Sequence, residues 1–316
     1  MARSDELTFR AGDVALAGVL TLPDAEGKHP WAVLVPSWLP RGADGGWDRI
    51  GHPTWYGPAE PGAMPGILER VAESLASRGV ASVRYDPRGC GASAGSWASS
   101  NLFTRIDDAR DAVGAMRSRP ELDLRRTAIV GHGEGAAIAL SVAIGDPAVG
   151  AVGLIGSSAR SFRDVLRRAV AERARTGTDL DHPIVAAIDR ASEEIIECVA
   201  RGEPTFRLEL ETEQLELGLA GWEQAFGTPS LALATMLHRN VVLAHGTSDA
   251  WADPDESRLL ATVLTAAGND PQLQLVDDAG HDLEAPTAVD GFARALSERM
   301  VARELPAVLL AIEEMR

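Results

Sequence analysis

Residues 127–145, TAIVGHGEGAAIALSVAIG, constrain the chain more than any other stretch. Ala128, Ile129 and Val130 form a short apolar run that stops at Gly131. Small residues follow as far as Gly135, and Ala136, Ile138, Ala139 and Val142 then recur at helical spacing. The pattern reads as strand, sharp turn and helix.

The same alternation runs through both ends of the chain. Residues 6–23 predict a hairpin turning near Gly12-Asp13. Residues 31–35, WAVLV, are apolar throughout, as expected of a strand buried on both faces of a parallel sheet. A Gly/Pro/Trp-rich loop follows over 39–64. With Trp38 just ahead of it, Trp47, Trp55 and Tyr56 form either an aromatic wall on a pocket or a plug that packs the loop onto the sheet. Residues 65–78 predict a helix that ends at Gly79, 80–85 a strand, 103–118 an amphipathic helix and 149–155 another strand. Strands return at 240–244 and 272–276, with helices at 254–268 and 286–316. Strands and helices alternating at this spacing predict a doubly wound, mostly parallel α/β sheet.

Between 157 and 237 the rhythm breaks. Stretches such as FRDVLRRAVAERAR, IDRASEEIIECVARG and FRLELETEQLELG are rich in Arg and Glu, and the expectation is helix without strand. The expected organisation is a core formed by 1–156 and 238–316, interrupted by a helical cap over 157–237 that screens a pocket from water.

Three turns at predicted strand ends carry candidate chemistry: Gly131-His132-Gly133-Glu134-Gly135, the stretch from His245 to Asp249 (HGTSD), and Gly280-His281. A fourth, Asp86-Pro-Arg-Gly-Cys-Gly-Ala-Ser93, reads as a structural turn. Together they resemble the α/β-hydrolase superfamily, in particular its dienelactone-hydrolase-like and serine-aminopeptidase-like esterase branch. In that family a G-x-S-x-G elbow lifts a serine on a strained turn, and the triad follows in the order Ser, acid, His. The resemblance places Asp249 as the acid, with Asp253 as a neighbouring alternative, and His281 as the base. It also implies an oxyanion hole from the backbone N–H groups of Trp38 and Glu134, with Ser37 as an alternative donor on the first loop. Ser37, Trp47 and Trp55 are expected to line the substrate.

The chain departs from the pattern at one position: Gly133 stands where the serine belongs. Ser37 lies on the opposite loop and Cys90 on another turn, so neither is an obvious substitute. Three readings stay open. The chain is a serine hydrolase of ester or thioester type whose nucleophile has been replaced, or one that activates water in the vacated space. It is a non-hydrolytic enzyme that uses an Asp–His base and an oxyanion hole for elimination, isomerisation or cyclisation. Or it is a binding protein that keeps the pocket alone.

Composition narrows the partners. The 316 residues carry 46 acids against 30 bases, a formal charge of −16. Such a surface repels phosphate backbones and anionic membranes, so neither nucleic acid nor membrane is an expected partner. Lys28 is the one lysine, a bias that fits a GC-rich bacterial genome. Two distant cysteines, Cys90 and Cys198, give no disulfide framework or metal spacing, and no apolar leader or membrane span is visible. A cytoplasmic location, a small apolar substrate and no cofactor are expected. The terminal PAVLLAIEEM has an apolar face that either docks at home or pairs two copies.

Overall fold

A computed structural model describes residues 2–52, 63–161, 183–210, 213–227, 229–285 and 287–314, with seven positions between 163 and 175. Trp55 and Tyr56 lie outside the described residues.

The hairpin forms as the pattern predicts. β1 (Arg3–Ala11) pairs antiparallel with β2 (Val14–Leu22), and Ala11 faces Val14 across the two-residue turn. Gly12 there has a φ of +58°, the left-handed conformation that such a turn requires. The central strands follow: β3 (His29–Val35), β4 (Ala81–Tyr85), β5 (Leu122–His132) and β6 (Val149–Ile155). β9 (Asn240–Gly246) and β10 (Gln272–Val276) complete an eight-stranded sheet in the order β1-β2-β4-β3-β5-β6-β9-β10. All pairings from β4 to β10 are parallel.

Parallel strands need crossover helices, and these bury both faces of the sheet. Trp31, Val33 and Val35 of β3 join one apolar cluster, while Ala32 and Leu34 join the other. The first cluster takes in α2 (Leu102–Met116), α3 (Gly135–Gly145) and α7 (Pro254–Ala266). The second takes in α1 (Ile67–Ala76) and α8 (Ala288–Arg299). Successive side chains of β3 therefore serve opposite layers, as the period of two demands. Asn101 starts α2 with a capping box: its side chain accepts from Phe103 and Thr104 N–H, and Thr104 Oγ1 accepts from Asn101 N–H.

Residues 157–237 are not wholly helical. α4 (Pro183–Ala200) is followed by β7 (Thr205–Glu209) and β8 (Gln214–Gly218), a separate antiparallel hairpin, and by the short helices α5 (Trp222–Gly227) and α6 (Ser230–Ala234). The correction has a plain cause. In FRLEL and QLELG, apolar residues alternate strictly with polar ones, and Leu208 and Leu217 turn inward while Arg207, Glu209, Gln214 and Glu216 face solvent. The last helix, α9 (Ala307–Glu314), seats Leu309 in the first core cluster and leaves Val308 exposed.

Packing between β6 and α8 depends on a missing side chain. A β-carbon at Gly153 would stand 2.6 Å from Phe292 Cζ and 3.1 Å from Val130 Cγ2. Phe292 is fully buried. Gly153→Ala is expected to cost about 1–3 kcal/mol through overpacking, read from urea denaturation. Adding Phe292→Leu should recover part of that loss, whereas independent sites would show additive costs.

Candidate active site

Four loops meet beyond the carboxyl ends of the parallel strands, where open α/β sheets place their sites. The loop after β3 carries Ser37 and Trp38, the turn after β5 carries Gly133 and Glu134, the loop after β9 carries Asp249, and the loop after β10 carries His281.

The turn after β5 is tight because its glycines let backbone pass close by. A β-carbon at Gly131 would stand 2.1 Å from the Gly135 carbonyl oxygen, and one at Gly135 would stand 2.6 Å from that of Val35. Gly133 itself has a φ of +57°, with its N–H donating to Ile155 O at 2.9 Å. This left-handed conformation costs an ordinary L-residue about 1–2 kcal/mol. The N–H of Glu134, at the head of α3, has no acceptor among the described residues.

Asp249 is a buried carboxylate with donors on both oxygens. Oδ1 accepts from the backbone N–H groups of Trp251 (2.7 Å) and Ala252 (3.0 Å). Oδ2 lies 2.8 Å from His281 Nδ1 and 3.2 Å from His245 Nε2. Burial alone would raise its pKa, but the charge of His281 and the hydrogen bonds from both imidazoles hold it well below the ordinary carboxylate range. Burial would likewise lower the pKa of His281, yet the carboxylate of Asp249 outweighs it and the net shift is upward. Asp253 is placed elsewhere. It caps α7 through Asp255 N–H and pairs with Arg168.

With Nδ1 held by Asp249, His281 presents Nε2 to the turn. It lies 3.1 Å from where a β-carbon at 133 would stand, and Ser37 Oγ lies 2.6 Å from that same point. Ser37 is thus closer to the missing side chain than its place on the opposite loop suggests.

Several supporting groups carry no motif of their own. His132 packs against His281 with ring centroids 4.6 Å apart, and its Nε2 lies 3.2 Å from both His281 O and Asp282 Oδ1. Burial, then the neighbouring His281 charge, lowers the pKa of His132. Asp282 is bound in turn by Arg41, whose guanidinium lies 4.0 Å above the Trp47 ring. Arg105 donates to Glu134 Oε2 (2.6 Å), Ser37 O (2.8 Å) and Pro36 O (3.3 Å). The only sequence signal for Arg105 is a charge on an otherwise buried helix face. Its partners are 29 to 69 residues away.

The aromatic loop divides. Trp38 is 8% exposed and packs against Trp97 and Trp222, with ring centroids 5.3 Å away in each case. Its carbonyl accepts from Trp97 Nε1 at 2.7 Å. Its ring therefore packs the loop onto Trp97, in the loop after β4, and onto Trp222 of α5. Trp47 is half-buried beneath Arg41. In the Asp86–Ser93 turn, Asp86 accepts from Ala43 and Ala92 N–H, and Arg88 pairs with Asp108. Both tie loops together.

Residues 64–173 match the family model of serine aminopeptidase, S33. No curated protein sequence is similar enough to count as a relative. Solved structures are similar along nearly the whole chain. The esterase domain of a Rhodothermus marinus protein is 16% identical with a TM-score of 0.58, over 94% of this chain and 97% of that one. A Butyrivibrio proteoclasticus protein solved with ferulic acid bound is 14% identical with a TM-score of 0.62, over 92% and 96%. An alpha/beta hydrolase from Penicillium sp. sh18 is 18% identical with a TM-score of 0.61, over 95% and 99%. Strand order and these structural likenesses agree: the chain has the α/β-hydrolase fold, and part of it matches the serine aminopeptidase family model.

Proposed function

We propose that this chain is an enzyme that opens ester- or thioester-like carbonyl bonds of a small, largely apolar molecule, with His281 as its base. The observation that carries this reading is one hydrogen bond and its direction. Nδ1 of His281 is held by Asp249 at 2.8 Å, and the opposite nitrogen faces the point above Gly133. Asp249 fixes the tautomer and stabilises the imidazolium once His281 has taken a proton. The N–H groups of Glu134 and Trp38 are the expected oxyanion donors, and the head of α3 adds its dipole. A receptor has no use for such a pair. Keeping a carboxylate desolvated costs several kcal/mol, which the surrounding donors must offset.

Arg105 supports this geometry from behind. Every peptide bond among the described residues is trans, so the Ser37 carbonyl and the Trp38 N–H point in opposite directions. With that carbonyl drawn to Arg105 at 2.8 Å, the N–H is turned to the other side.

His281→Ala should lower turnover of short p-nitrophenyl esters by about 10⁴- to 10⁶-fold. Asp249→Asn should lower it by about 10⁴-fold. Unchanged rates in both variants, with unchanged thermal midpoints, would remove the catalytic reading. Because the base must be neutral, kcat/KM should rise with pH along a limb whose midpoint lies above the ordinary histidine value of about 6.5. Asp249→Asn should move that midpoint down, since the carboxylate that favours the imidazolium is gone. Gly133→Ala should lower stability by about 1–2 kcal/mol in chemical denaturation, because the new side chain meets both a left-handed backbone and the Ser37 hydroxyl.

A further inference from the structure

We propose that Ser37 is the nucleophile of this site, its hydroxyl standing where the glycine at 133 provides none. This rests on the reading of His281 as the base. Ser37 Oγ lies 2.6 Å and His281 Nε2 lies 3.1 Å from the point where a β-carbon at 133 would be. Hydroxyl and imidazole nitrogen therefore flank one small volume; no hydrogen bond joins them, and the gap is one that a single water can bridge. Among the described residues Ser37 Oγ has no hydrogen-bond partner, so its proton is not committed elsewhere. Backbone around it is held on two sides. Arg105 grips the carbonyls of Pro36 and Ser37, and the bare α-carbon of Gly135 lets Val35 and Pro36 come up against the turn.

Other nearby candidates fail on chemistry. Cys90 is fully buried, and burial, then the Asp48 charge, pushes its thiol up. The Glu134 carboxylate is tied to Arg105. His132 is fully buried behind His281.

The step balances without a co-reactant other than water. Ser37 Oγ bonds to the acyl carbon, its proton passes to His281 Nε2, and the carbonyl electron pair moves onto oxygen. The tetrahedral species collapses by breaking the bond to the leaving oxygen or sulfur, which takes the proton from His281. Water then attacks the Ser37 ester, gives a proton to His281, and releases the acid as Ser37 recovers its hydrogen. The donor following the nucleophile is the Trp38 N–H. That is the same relation Glu134 would hold to a serine at 133.

The test is labelling of the full chain with an alkyl fluorophosphonate. Its phosphorus would bond to Oγ as fluoride leaves with the proton. Intact mass should rise by one phosphonyl group, and peptide mapping should place it on Ser37. Ser37→Ala should take no label and lose p-nitrophenyl acetate turnover by about 10⁴- to 10⁶-fold. His281→Ala should take label far more slowly. No label on the unsubstituted chain, label on another residue, or label on Ser37→Ala equal to that on the unsubstituted chain would overturn the proposal. If Ser37→Ala keeps full turnover while His281→Ala loses it, Ser37 is not the nucleophile and the base stands. If both keep it, the base reading falls as well.

Discussion

The site depends on one buried carboxylate. Asp249 has been taken out of water and given four donors in return: two backbone N–H groups and two imidazoles. An isolated carboxylate in that place would protonate or draw in solvent. Paired, it stays ionised and converts His281 from an ordinary imidazole into one with a fixed orientation and a raised proton affinity. The second imidazole, His245, shares its Nε2–H with Ala252 O at 2.9 Å, and its Nδ1 lies 2.6 Å from Ser257 Oγ. The loop after β9 is thereby cross-braced to the head of α7, and Asp249 moves only if that brace breaks.

Proton placement extends to a third imidazole. His132 and His281 pack closely with their rings tilted, and two charged rings at that separation would repel in a site of low polarity. The surroundings separate their roles. Asp249 favours the charged form of His281, while burial and that same charge keep His132 neutral. Asp282 contacts His132 but is neutralised mainly by Arg41, itself covered by Trp47. The aromatic residue expected to touch substrate thus also shields an ion pair behind the base.

Much of this was legible in the chain, for reasons that can be named. Trp31–Val35 and Ala128–Val130 are apolar on consecutive positions because helices cover both faces of the sheet. That burial leaves a signal no surface strand imitates. Gly131 and Gly135 are readable because backbone passes where their side chains would be. The hairpin of β7 and β8 was concealed by charge: its exposed Arg and Glu residues look like a solvated helix unless the period is counted. Arg105 left only a charge on a helix face, since its meaning comes from three partners that only the folded chain brings together. Residue types at strand ends survive in sequence, whereas the side chains that hold those ends in register do not.

Ser37 shows the same limit from the other direction. In sequence it is 96 positions from the turn it approaches, and an elbow without serine reads as a loss. In space, β3 and β5 are adjacent, with Val35 registered against Gly131, so the residues just beyond each strand must meet. A side chain at 133 and the Ser37 hydroxyl compete for one volume, because their separation would be 2.6 Å. Glycine at 133 leaves that volume to the Ser37 hydroxyl, which a side chain there would turn aside.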